Sequence, residues 1–176
     1  MPPGPFREEI RVALMKPSAG SAAEFVAAVR RSRRLHGRWV RPPSTLTAYR
    51  AYVRRLRRPT HEGYLIRLRD SDELVGVANI SEIVRGAFRS GYLGYYAFRP
   101  YERRGLMTEG LGLVVRDAFR RLGLHRLEAN VQPANFASIR LVRRLGFRRE
   151  GYSPRYLRIQ GRWRDHERWA LLAARP

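Results

Sequence analysis

Gly91 to Glu109 reads Gly-Tyr-Leu-Gly-Tyr-Tyr-Ala-Phe-Arg-Pro-Tyr-Glu-Arg-Arg-Gly-Leu-Met-Thr-Glu, a strand-like stretch that passes through a short basic turn into a helical pattern. A junction of that kind binds anions. The first N–H groups of the helix lack internal acceptors, the positive end of the dipole lies there, and Gly105 lets a ligand approach the backbone. Arg103 and Arg104 add formal positive charge. The turn has neither the Walker spacing nor Gly-x-Gly-x-x-Gly, which disfavours a P-loop nucleotidase or a dinucleotide site. A diphosphate belonging to another cofactor remains.

Further polar residues follow at Asn130, Asn135 and Ser138, and then at Asp165 and His166. Each has a plain structural reading beside the chemical one. Gly105 suits a turn, Asn135 a helix cap and Ser138 a first helical turn. Asp165 and His166 can move protons at a strand start, or simply pair with nearby arginines, and Trp163 reads as packing. The chain contains no cysteine, which excludes disulfides, Cys-based zinc sites and a Cys nucleophile. His36, His61, His125 and His166 lack ligand spacing, so no metal site is expected.

The elements that must position these residues follow from the apolar periodicity. With 176 residues and 20.5 kDa, one domain over 1–176 is expected, irregular over residues 1–8. Ile10, Val12 and Leu14 alternate as a strand. Ala19 to Leu35 and Ser44 to Leu56 carry helical stripes, the second after a Pro42-Pro43 breaker and a Ser44 or Thr45 cap. Strand-like stretches at Tyr64–Ile66, Leu74–Ile80 and Gly91–Phe98 are separated by turn residues, so a meander is the simplest topology. Helices follow at Leu106–Leu122 and Ala134–Leu145, closed by Gly123 and Gly146, with a strand at His125–Val131 between them. Phe147–Ile159 and Trp163–Leu172 complete the chain as two strands. The sum is an α/β arrangement, β-α-α-β-β-β-α-β-α-β-β, with a mixed sheet and helices on its faces.

The formal net charge is +21, from 36 basic and 15 acidic residues. Such a balance points toward polyanions. Lys16 is the only lysine, however, and GC-rich coding also produces this arginine bias. Most arginine pairs therefore read as solvated helix faces, with Arg103-Arg104 the exception. No 18-residue run lacks Asp, Glu, Lys and Arg, and Pro and Gly interrupt Met1 to Phe6. The expectation is a cytoplasmic protein without a membrane partner.

From the Arg103–Thr108 loop through Asn130, Asn135, Ser138, Leu145-Gly146-Phe147, Glu150-Gly151-Tyr152 and Gly161–His166, the sequence resembles the GCN5-related N-acetyltransferases, the GNAT superfamily. Their pyrophosphate loop has the form Arg/Gln-x-x-Gly-x-Gly/Ala. Within the superfamily the succession resembles the RimJ/RimL branch of ribosomal-protein-alanine N-acetyltransferases, and most of all its RimJ type. The likeness is detailed from about Asn79 onward and topological before it. It implies the GNAT fold, a single three-layer domain around a mixed, mostly antiparallel sheet. It also implies acetyl-CoA as cosubstrate without a metal. The backbone of Tyr96, Ala97 and Phe98 would pair with pantetheine, and Arg103, Arg104, Gly105, Leu106, Met107 and Thr108 would hold the pyrophosphate. Asn130 and Asn135 would face the thiol end, with Ser138 beside the sulfur. Three positions depart from the pattern: Glu102 stands where Gln or Arg is usual, Met107 where Gly or Ala is usual, and Val142 where many members place a tyrosine acid.

The implied reaction is direct transfer from acetyl-CoA to an amine in a ternary complex, since no cysteine can carry the acyl group. An N-terminal amine, with a pKa of about 7.7–8.0, is roughly a tenth neutral at pH 7, whereas a lysine at about 10.4 is almost wholly charged. A weak base therefore suffices for a protein N-terminus, and Asp165 acting through water is the expected one, with Ser138 assisting the thiolate. A strand N–H near Ala97 or Phe98 would polarise the thioester carbonyl. The expected partner is a ribosomal or similar protein, with possible proximity to ribosomal RNA, and the chain as a monomer or homodimer. Two alternatives stand beside this: a small-molecule amine such as an aminoglycoside or polyamine as acceptor, and an RNA- or ribosome-binding module whose acetyl-CoA site is vestigial.

Overall fold

The computed structural model describes residues 10–174; the irregular opening expected over residues 1–8 lies outside the described residues. The described residues form seven strands: β1 (Val12–Met15), β2 (Glu62–Leu68), β3 (Leu74–Val84), β4 (Ser90–Ala97), β5 (Arg126–Val131), β6 (Arg148–Ile159) and β7 (Arg162–Leu172). They form one sheet in the order β1-β2-β3-β4-β5-β7-β6. Every neighbouring pair is antiparallel except β4 and β5, which run parallel. The meander from β2 to β4 follows the short turns between those strands, and the helix between β4 and β5 supplies the crossover that a parallel pair requires.

Helices cover both faces. On one, α4 (Leu106–Arg120) and α5 (Phe136–Arg144) bury Leu111, Val114, Ala118 and Val142 against Ile66, Val75, Leu127 and Ala129. On the other, α1 (Ala22–Arg31), α2 (Arg33–His36) and α3 (Leu46–Arg55) close over Leu65, Leu74, Val77 and Phe98. Phe25 is the hub of that second core, with ring centroids 4.5 Å from Tyr49, 5.9 Å from Tyr52 and 5.7 Å from Phe98. Such aromatic pairs contribute roughly 0.5–1.5 kcal/mol each beyond their buried area. Their consequence for the site is positional, because they anchor Phe98 where the chain leaves β4 for the basic turn.

One difference from the sequence expectation lies here. The segment Ala19 to Leu35 is not one helix: a 3-10 turn at Ala19–Ser21 leads into α1, and Ser32 breaks the chain before α2. The buried Ser32 hydroxyl accepts a hydrogen bond from the Arg99 N–H at 3.0 Å, which takes Ser32 out of regular helix. The break allows α2 to bring His36 Nε2 within 2.9 Å of the Ala97 carbonyl, to which it donates. Thr45, not Ser44, caps α3 by accepting from the Ala48 N–H at 3.2 Å. Among the described residues no helix is long and apolar enough to cross a membrane, and no cluster of His, Asp and Glu could hold a metal ion.

Candidate active site

The parallel pairing of β4 with β5 stops at Tyr92 and Glu128, although both strands continue, β4 to Ala97 and β5 to Val131. The sheet therefore opens between them. The alternation of antiparallel hydrogen bonds decides which β4 groups face that gap. Phe98 N–H donates to the Val75 carbonyl at 2.7 Å, so with Gly76 opposite Ala97 and Val77 opposite Tyr96, the main chain of Tyr96 also faces β3. Leu93, Tyr95 and Ala97 have the opposite parity; past the last β5 pairing this leaves the Tyr95 main chain and the Ala97 N–H toward the gap, the Ala97 carbonyl being taken by His36. Two expectations are thereby corrected. The Phe98 amide is committed to β3 and its ring to the second core, and Tyr96 contributes a side chain to the gap instead of a pairing backbone. The main chain of Tyr95 and the N–H of Ala97 form the free edge.

A cleft of about 740 Å³ fills the opening. At one end it meets the first turn of α4. Gly105 caps that helix with φ +80, a left-handed conformation in which an L side chain is strained. The turn's carbonyl at Gly105 accepts from Thr108 and Glu109, while among the described residues no backbone carbonyl of the surrounding turns accepts from the N–H groups of Arg103, Gly105, Leu106 and Met107. Arg103, Gly105, Met107 and Thr108 line the cleft; Arg104 is exposed with its guanidinium 5.8 Å from the Tyr101 ring centroid, and Leu106 is buried in the core. Arg11 braces the turn from outside by donating to the Arg104 carbonyl at 3.0 Å and pairing with Glu109. Glu102 also lines the cleft, paired with Arg99 at 3.2 Å.

Midway along the cleft, Asn135 caps α5, its Oδ1 accepting from the Ser138 N–H at 3.2 Å. The capping and site readings of Asn135 are thus compatible, because the residue lines the cleft while it caps. Asn130 lines it from β5, and its buried Oδ1 has no hydrogen-bond partner among the described residues. Ser138 faces the cleft with its Oγ 2.6 Å from the Tyr95 hydroxyl. Burial pushes Tyr95 up to about 12, against the lowering effect of its bond to Ser138, so it stays protonated at any ordinary pH. Val142 is fully buried, so that position of α5 offers the cleft nothing. Sequence reasoning missed Tyr95. Its signal was parity, since Leu93, Tyr95 and Ala97 share one face of β4 with the core under α4 and α5. Arg140 and Arg144, one turn apart on α5, also line the cleft and were missed.

Away from the α4 turn the lining includes apolar side chains, Leu35 of α2, Trp39 and Val40 after it, and Leu157 and Ile159 of β6, together with His166 of β7. The segment that carries Trp39 is tied down by Gln160 Nε2, which donates to the Gly37 carbonyl at 2.7 Å. Asp165 does not line the cleft. Along β7, Trp169 packs into the core under α5, so Asp165 shares its parity and His166 has the opposite one. Opposite Asp165, β6 bulges, and the carboxylate fills the bulge by accepting from the Arg155 N–H at 2.8 Å and from the Tyr152 hydroxyl. Those bonds, Tyr152 first, hold Asp165 below the usual carboxylate range. A carboxylate so engaged is a poor base, and the expectation that Asp165 would serve as one is corrected.

The family model described as an acetyltransferase (GNAT) domain matches residues 11–148. The chain is 36% identical over 121 residues to a probable N-acetyltransferase, YjcK, of Bacillus subtilis (strain 168), covering 69% of this chain and 67% of that protein. It is 46% identical over 102 residues to the ribosomal protein uS5 alanine N-acetyltransferase of Escherichia coli (strain K12), covering 58% of this chain and 53% of that one. The structure of Mycobacterium smegmatis RimJ in complex with CoA-disulfide superposes with a TM-score of 0.83 at 29% identity, over 92% of this chain and 82% of that one. A helix start with free N–H groups beside a parted strand pair, on this sheet order and with these relatives, places the chain in the GNAT family of N-acetyltransferases.

Proposed function

We propose that the protein transfers the acetyl group of acetyl-CoA to the N-terminal α-amine of a protein, with a ribosomal protein as the acceptor class. The residues fit the cosubstrate. The unpaired N–H groups of Arg103, Gly105, Leu106 and Met107, with the Arg103 side chain, suit a diphosphate, and the free β4 edge at the Tyr95 main chain and the Ala97 N–H suits an amide-bearing pantetheine arm. When bound, acetyl-CoA supplies a thioester carbonyl as electrophile and a thiolate of ordinary pKa near 8.5 as leaving group. The Ala97 N–H turns into the cleft as a donor for that carbonyl's oxygen. Tyr95 Oη lies 2.6 Å from Ser138 Oγ, and with the tyrosine as donor in that pair the Ser138 hydroxyl hydrogen is available to the sulfur.

The observation that carries the acceptor reading is the far end of the cleft. Glu102 is the single carboxylate among the cleft-lining residues, and it sits at the pyrophosphate end, paired with Arg99. A polyamine or aminoglycoside keeps one or more cations beside the reacting amine, and those would lie unpaired among Leu35, Trp39, Val40, Leu157 and Ile159. An N-terminal residue with a small side chain brings no second charge. The chain from Arg30 to Arg58 holds no Asp or Glu, and none of its arginines forms an ion pair among the described residues. This basic segment supports an acceptor presented beside a polyanion and repels a polycation.

The test is one peptide with a free N-terminal alanine and an internal lysine, offered together with spermidine and an aminoglycoside. Tandem mass spectrometry is expected to find the label on the α-amine alone. Label on lysine or on the small amines would overturn the acceptor reading, and an acetyl-CoA melting shift that fails to appear would overturn the cosubstrate reading.

A further inference from the structure

The cleft contains a base that the family resemblance did not indicate. His166 is 3% exposed and lines the acceptor end. Its Nδ1 lies 2.9 Å from the Arg164 carbonyl oxygen. A carbonyl can only accept, so the neutral ring carries its hydrogen on Nδ1 and its lone pair on Nε2. Among the described residues Nε2 has no hydrogen-bond partner. Among the described residues that line the cleft no other carboxylate competes at this end: Asp165 is turned into the β6 bulge and Glu102 lies beside Arg99.

We propose that Nε2 of His166 is the general base that takes the proton released by the acceptor amine as the amide bond forms. The inference rests on the acetyl-transfer reading above. The neutral amine's lone pair forms the C–N bond, the C–S bond breaks, and its electron pair leaves with the CoA thiolate. The surplus proton on nitrogen passes to Nε2, and the imidazolium returns it to the thiolate or to solvent. Charge and atoms balance, with no further reactant.

Beside the ring stand Asp165 and Arg164 on β7 and Tyr156 on β6, at 6.3 Å between ring centroids; Tyr96 and Arg140 line the same cleft, and Glu102 is held by Arg99 at its pyrophosphate end. Burial lowers the His166 pKa, while the Arg164 carbonyl and Asp165 oppose the shift. The net effect leaves the ring neutral at pH 7, as a base must be before the reaction. As pH falls through that lowered value, Nε2 becomes protonated and turnover is lost; above it, the base is fully available.

The test uses the full chain with an alanine-initiated peptide. In His166→Asn the amide can still donate to the Arg164 carbonyl, whereas His166→Gln places an amide near Nε2; neither side chain is basic. Both are expected to keep the acetyl-CoA melting shift and lose about 100-fold or more in kcat at pH 7. Their residual rate should climb with pH as the amine itself deprotonates, without the wild-type acid limb. Independently of turnover, the NMR signal that disappears in His166→Asn should titrate below the ordinary histidine value and shift when peptide is added. A folded variant of either kind within threefold of wild type, or a His166 signal titrating above the ordinary value, would overturn the base. Wild type that acetylates no α-amine while binding acetyl-CoA would overturn the acceptor reading and the base with it.

Discussion

Removing the Tyr95 hydroxyl tests whether two hydroxyl groups in the cleft act as one device. Tyr95 Oη and Ser138 Oγ are 2.6 Å apart, within the range of a good O–H···O bond. Such a bond contributes about 1 kcal/mol net, and leaving either partner alone costs about 1–3 kcal/mol. Tyr95→Phe strands the serine, Ser138→Ala strands the tyrosine, and the double variant strands neither. The double-mutant cycle should therefore show coupling of about 1 kcal/mol, the double variant being less destabilised than the sum of the singles. For a chain of this size that is about 2–4 °C in Tm. The kinetic cycle should be steeper. A hydrogen bond to a charged sulfur is worth about 1.5–3 kcal/mol, which corresponds to about 10- to 150-fold in kcat. Ser138→Ala should lose that factor, Tyr95→Phe much of it, and the double variant no more than Ser138→Ala, with acetyl-CoA affinity held within a few-fold. Urea unfolding and steady-state release of free thiol measure the two cycles. Full kcat in Tyr95→Phe, or losses that simply multiply in the double variant, would refute the relay.

Three further perturbations address the surrounding scaffold. Gly105→Val forces a β-branched residue to φ +80, at a cost of about 1–2 kcal/mol, and should shrink the acetyl-CoA melting shift; an unchanged shift in a folded variant would remove the loop from the site. Gly76→Ala places a Cβ against Met107 Sδ and 2.8 Å from the Tyr96 carbonyl oxygen, so β4 and the first turn of α4 must part. It should cost about 1–3 kcal/mol by urea unfolding and weaken acetyl-CoA binding, and normal values of both would show that the contact yields freely. Asp117 accepts from Arg121 Nη2 at 2.7 Å and from the Tyr64 hydroxyl at 2.6 Å, and these partners, Arg121 first, hold it below the usual carboxylate range. Its stabilisation is therefore complete above the unfolded pKa of about 3.9 and lost as pH falls through the lower folded value. The Tm gap between wild type and Asp117→Asn should be full at pH 7 and close below about pH 4; a gap that persists at low pH would show that the charge is not the cause.

Most of the fold was legible because its elements are locally specified. The stripe on α4 and the Asn135 cap on α5 lie within the segments they shape. The break at Ser32 was not legible, since it depends on an N–H that arrives from Arg99, far along the chain. The insertion of β7 between β5 and β6 was equally hidden. A terminal hairpin can add either strand first, and Trp169, packing opposite Ala129 under α5, selects β7.

Within the site, the division between what could and could not be read follows the same physical line. The basic turn was visible because a helix start after a strand carries its chemistry in its own backbone, whatever else packs around it. The acid and base ends depend instead on strand parity, which shifts the face of every side chain with a single residue of register. Asp165 and His166 are adjacent, and composition alone favours the carboxylate. Yet Trp163, Asp165, Glu167, Trp169 and Leu171 share one parity, and the apolar members at its C-terminal end belong against the helices. That places His166 with Arg164 and Arg168 on the other face, where the opening between β4 and β5 leaves room for an acceptor. The bulge in β6 then gives Asp165 structural work, because the Arg155 N–H it exposes has no strand partner and needs an acceptor. A carboxylate that satisfies a backbone donor cannot also move freely to an amine, so the same irregularity that fixes Asp165 in place leaves proton removal to His166.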